Sequence, residues 1–117
     1  MSHPKTDKVA NHVANQMDQA LETLTEYLRY PAISCQPENH KDVYALAKKI
    51  RDDLEELGMD NARLLELDDA LPCVAAEWLH AGNDKPTVLI YGHLDLQPVA
   101  GEPWKTPPHE AIIKGDR

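Results

Sequence analysis

Phenylalanine is absent from the sequence, and aromatic residues make up only 5% of it. The missing phenylalanine bears on one loop position considered below. Cysteine is scarce. Cys35 and Cys73 lie too far apart for a Cys-x-x-Cys metal clip and are too few for a disulfide framework. Both are read as buried or incidental thiols in a reducing compartment. No run approaches the roughly 18 apolar residues that span a bilayer. The N-terminal stretch MSHPKTDKVANH lacks the apolar segment of a signal peptide, so a cytoplasmic location is expected. Positive charge is in deficit. A formal net charge of -8 repels nucleic acid and anionic membranes, and neither is expected as a partner. There is no internal repeat and no low-complexity tract.

What remains is an ordinary globular composition, 42% hydrophobic and 27% charged. Its 117 residues suffice for one small domain. Val9, Val13, Met17, Leu21, Leu24 and Leu28 recur at helical spacing and predict one amphipathic helix of about five turns. Pro31 ends it by pushing Tyr30 toward extended geometry. Val43, Leu46, Ile50, Leu54 and Leu57 predict a second helix with Gly58 as its C-terminal cap. Core packing is the expected role of both stripes.

From residue 62 the period changes. Residues 62–67 and 73–79 predict strands around a turn marked by Asp68, Asp69 and Pro72. A second turn falls at Gly82-Asn83-Asp84. The apolar run 87–91 reads as a strand covered on both faces, and 111–114 as a last short strand before Gly115-Asp116. The expected class is α/β, with two helices followed by the strands of a mixed sheet. No helix follows to cover the far face of that sheet, so the domain is expected to be incomplete.

Chemistry concentrates after the apolar run, in Tyr91-Gly92-His93-Leu94-Asp95-Leu96-Gln97-Pro98. Ligands gather beyond the carboxyl ends of strands in α/β sheets. Gly92 lets the backbone turn or approach closely. His93 and Asp95, two apart in extended chain, point to one side. A neutral imidazole binds a metal through one nitrogen while a carboxylate accepts the proton on the other, fixing the tautomer. His93 is the candidate metal ligand and Asp95 the candidate catalytic-site residue that orients it. Leu94 and Leu96 are expected to point into the core. By spacing alone, such a triplet is more often a surface histidine beside an acidic neighbour.

The segment YGHLDLQP, preceded by TVLI, resembles a signature of the co-catalytic zinc peptidases. That family includes carnosinase-like dipeptidases, aminoacylases, acetylornithine deacetylase and succinyl-diaminopimelate desuccinylase. The D-x-Q-P form is most similar to the dipeptidase branch. Residues 102–110, EPWKTPPHE, resemble the family's W-x-x-P-P-F-x-P loop, with His109 where phenylalanine is usual. His109 is expected to make a local polar contact or to stand partly exposed. Residues 28–34, LRYPAIS, resemble the L-x-x-P-S-V-S segment, and 112–117 the strand and turn after the loop.

The resemblance implies that residues 1–117 are the N-terminal portion of a three-layer metallopeptidase catalytic domain, without its lid or dimerisation domain. It implies two zinc ions in the full-length protein, with other divalent metals as substitutes. His93 would bind one zinc and Asp95 would support it. The bridging Asp, the Glu-Glu pair and the remaining ligands would lie beyond Arg117. The implied reaction is hydrolysis of a dipeptide or N-acyl amino acid by a protein that in full length could be a homodimer, this chain being inactive alone. The competing reading is a non-catalytic module acting through protein contacts. A weaker third reading is a single-zinc binder using His93, Asp95 and His109.

Other residues carry less. His3, His12, His40 and His80 read as solvated, Asp52-Asp53 and Asp68-Asp69 as solvated charge, Trp78 as core, and Trp104 as an anchor of the loop after the site.

Overall fold

A computed structural model of the chain describes residues 4–115. It divides into two compact units. One combines the segment up to Arg29 with the segment from Trp104 onward, and the other spans Tyr30–Pro103.

The first unit holds helices α1, Pro4–Asn15, and α2, Met17–Leu28. The single helix expected here is interrupted at Gln16, whose φ of -102° and ψ of 6° leave helical geometry. Its amide bonds to the carbonyls of both His12 and Val13 at 3.1 Å. The apolar stripe is not core. Val9, Val13, Met17, Leu21 and Leu24 are all exposed, and neither helix buries a residue. Periodicity specifies which face is apolar, but burial needs a second surface. The unit's only other segment, 104–115, forms no helix or strand, so the strand expected at 111–114 is absent. Asp116 and His3 lie outside the described residues. Trp104 is half exposed.

His109 has a definite local role. Its Nδ1–H donates to the carbonyl of Leu28 at 3.2 Å. Leu28 is the last residue of α2, where carbonyls lack intrahelical partners. The histidine satisfies one of them, as the expected local polar contact.

The second unit is built on helix α3, His40–Glu56, which a single 3-10 turn, Pro37–Asn39, leads into. Val43, Leu46 and Ala47 of α3 are buried with Ala32 and Ile33. Burial is worth about 2 kcal/mol for each of the larger aliphatic side chains. The stripe fades outward: Ile50 and Leu54 are half-buried and Leu57 is exposed. Gly58 ends the helix at φ 88°. Its amide reaches Glu55 O at 3.0 Å and the Met59 amide reaches Leu54 O at 2.9 Å, the two bonds of a Schellman cap.

Strands β1, Asp60–Leu67, and β2, Ala70–Glu77, form an antiparallel hairpin against α3. Asp68 and Asp69 make the turn, but Pro72 does not belong to it. Between the pairs Leu65–Cys73 and Leu67–Ala70, Glu66 faces both Leu71 and Pro72. This bulge accommodates a residue with no amide to donate. A second irregularity lies between the Asp60 and Arg63 pairs, where Asn61 takes φ 55°.

Several burial expectations fail here. Cys35 and Cys73 are both exposed free thiols. Trp78 is half exposed, its ring edge meeting His80 at 5.3 Å between centroids. Residues 87–91 form no strand, and Val88, Leu89, Ile90 and Tyr91 are 79–91% exposed. An apolar run becomes a doubly covered strand only with neighbours, and the only sheet among the described residues is the two-stranded hairpin. The turn at 82–85 does form, with the Lys85 amide on Gly82 O at 3.1 Å.

Replacing Gly58 with alanine tests the cap. A Cβ there meets nothing within 4 Å, so the penalty is purely conformational. Gly58→Ala is expected to destabilise the chain by about 1 kcal/mol, read as a lower urea midpoint at unchanged slope.

Candidate metal-ligand site

Two segments far apart in sequence build the site. Tyr30 to Ser34 folds through two tight turns, Ala32 N–H to Tyr30 O and Ile33 N–H to Pro31 O, each 2.8 Å. Both bonds turn the chain after Pro31. Ile33 then makes a parallel bridge with Leu96, and the Leu96 amide donates to Ala32 O at 2.9 Å. This pairing is a single isolated bridge between segments expected to be connections, and the expected mixed sheet does not form among the described residues.

The rung sets Ser34 beside Asp95. The Ser34 hydroxyl donates to Asp95 Oδ2 at 2.5 Å. The other oxygen, Oδ1, accepts from His93 Nδ1–H at 3.1 Å, and the same N–H lies 3.1 Å from the Asp95 carbonyl. His93 and Asp95 therefore meet as their spacing in extended chain suggests. The imidazole is 75% exposed, and its Nε2 has no partner among the described residues. Leu94 and Leu96 are half-buried rather than core. Gly92 is not in the left-handed region, and a Cβ there would meet no atom of the chain within 4 Å.

The carboxyl of Asp95 is held below the ordinary aspartate value. The Ser34 hydrogen bond is the largest cause; partial desolvation opposes it, and the His93 contact adds to it. A carboxylate with one donor on each oxygen is stabilised in its charged form.

His40 also departs from its expectation as a solvated loop residue. It opens α3, is half-buried, and donates from Nε2–H to the Ser34 carbonyl at 3.0 Å. His80 remains exposed but pairs with Asp60. His12 is exposed on α1. Asp52 pairs with Arg51 and Asp53 with Lys49, while Asp68 and Asp69 are exposed. Ser34 and His40 were not legible as site residues, because no spacing rule links a serine to an aspartate 61 positions away.

The donor set suits a metal only in part. An exposed imidazole nitrogen backed by a carboxylate is what a zinc-ligating histidine needs. Yet catalytic zinc normally keeps about three protein ligands. Among the described residues, no three His, Cys, Asp or Glu side chains gather where they could hold a metal ion. His109 Nδ1 is engaged by the Leu28 carbonyl.

The chain is similar to metallodipeptidases. It is 29% identical to the Cys-Gly metallodipeptidase of Saccharomyces cerevisiae over 97% of its own length, which is 26% of that protein. It is 33% identical to the Cys-Gly metallodipeptidase of Candida albicans over 75% of its length and 20% of that protein. Identity to the human Beta-Ala-His dipeptidase is 29% over 88% of this chain and 22% of the relative. The chain thus spans only about a quarter of the length of the relatives it matches. No family model matches it, and no solved structure matches it significantly. No helix among the described residues is long and apolar enough to cross a membrane.

The state of Asp95 can be read directly. Its folded value lies below its unfolded one. The stability it contributes is therefore complete above the unfolded-chain value and lost as pH falls through the folded value. A carboxyl 13C titration is expected to place the Asp95 midpoint below that of an ordinary aspartate; a midpoint at or above it would contradict the two-donor arrangement.

Proposed function

We propose that this chain is the N-terminal portion of a zinc dipeptidase catalytic domain, in which His93 binds one metal ion and Asp95 orients it. The observation that carries this reading is the pair itself. Nδ1–H is shared between Asp95 Oδ1 and the Asp95 carbonyl, each at 3.1 Å, and Nε2 is left open on an exposed ring. The similarity to metallodipeptidases supports the choice of reaction. A bound divalent metal, zinc in the first instance, would activate water and polarise the scissile amide. The residues present supply one donor, its tautomer and its orientation. The remaining donors and the general base belong to sequence beyond Arg117 in this reading. The substrate class in this reading is a dipeptide or N-acyl amino acid, the location cytoplasmic, and the full-length protein a homodimer without nucleic-acid or membrane partners.

A second reading, a non-catalytic module that works by protein contact, is favoured by the single-imidazole donor set and by the exposed apolar run 88–91.

Isolation from the native source separates the two. The proposed enzyme is expected to exceed 13.1 kDa in intact mass, to cleave dipeptides such as Cys-Gly, and to stop when chelated. His93→Ala should cost it at least about 100-fold in activity. The 117-residue chain alone is expected to show no turnover. A native mass of 13.1 kDa without metal-dependent hydrolysis would support the module instead.

A further inference from the structure

We propose that Ser34 is a positioning residue for His93: its hydroxyl locks the Asp95 carboxylate so that the imidazole keeps its proton on Nδ1 and presents Nε2 outward. The inference rests on the ligand reading of His93 for its use, but its geometry stands independently.

A carboxylate held by one hydrogen bond can rotate about its side-chain torsions and carry the imidazole with it. Asp95 is held at both oxygens, Oδ2 by Ser34 at 2.5 Å and Oδ1 by His93 Nδ1–H at 3.1 Å, an N–H that the Asp95 carbonyl also faces at 3.1 Å. Two anchors on opposite oxygens fix the plane of the group. Ser34 is itself immobilised. It follows Ala32 and Ile33, which are 0% and 4% exposed. Its carbonyl accepts from His40 Nε2–H at 3.0 Å. His40 begins α3, whose Val43, Leu46 and Ala47 are buried in the core. The Leu96 amide, next to Asp95, is tied to Ala32 O at 2.9 Å. A continuous series of contacts thus runs from the packed helix through His40, Ser34 and Asp95 to an imidazole that is otherwise exposed. Orientation of a metal-ligating histidine depends on partners behind it as much as on the ligand. Ser34 sits one step behind the direct partner.

The test is read in the metal-free chain, labelled with 15N at histidine, at about pH 8.5. Long-range 1H–15N spectra report which ring nitrogen of His93 carries the proton. The parent is expected to show mainly Nδ1–H. Ser34→Ala should lower the Nδ1–H to Nε2–H ratio about three- to tenfold, less than the effect of removing a direct orienting partner. Ser34→Thr keeps the hydroxyl and should restore the parental ratio. Should the alanine variant fail to fold, Ser34→Cys, close in size but a weak donor, is expected to move the ratio in the same direction. An unchanged ratio in a folded Ser34→Ala or Ser34→Cys chain would overturn the inference. So would a threonine variant that behaves like alanine, since the hydroxyl would then not be the cause. Zinc chloride added to the parent tests the ligand reading separately. Failure to perturb His93 Nε2 would remove that reading, while the tautomer ratio still decides the role of Ser34.

Discussion

The Leu96 amide meets the Ala32 carbonyl, and through that contact two stretches from opposite ends of the second unit run side by side. Ser34 and Asp95 are 61 positions apart, and nothing local holds them together. Closing a loop of that length carries an entropic cost that rises only slowly with length, so a few bonds plus the burial of Ala32 and Ile33 can offset it. The Ser34–Asp95 contact follows from the rung. It sets the serine hydroxyl on one carboxylate oxygen and frees the other for the imidazole.

Behind this rung the unit is ordinary. An amphipathic helix buries three small or medium side chains and a hairpin packs against it. The helix is stopped by a glycine in the left-handed region, and the hairpin absorbs a proline through a bulge. The apolar run before the site differs. Val88 to Tyr91 lie open to solvent although their composition suits a central strand.

The chemistry available is set by donor count. In the proposed reading, one imidazole backed by an aspartate supplies a single metal donor. The preparation is more extensive than an isolated His-x-Asp triplet would need, because serine, histidine and a helix N-terminal turn stand behind the carboxylate.

The sequence by itself determined α3 and its glycine stop, the hairpin and its Asp-Asp turn, and the pairing of His93 with Asp95. Each depends on residues close together in the chain, where helical or extended spacing decides which side chains meet. Tertiary structure alone decided that the α1 and α2 stripe is exposed, that run 87–91 has no strand partner, that both thiols and Trp78 face solvent, and that Ser34 and His40 stand behind Asp95. Periodicity says which face is apolar and not what lies against it. A hydrogen bond between residues 34 and 95 leaves no trace in the spacing of either, because it exists only once the intervening chain has folded.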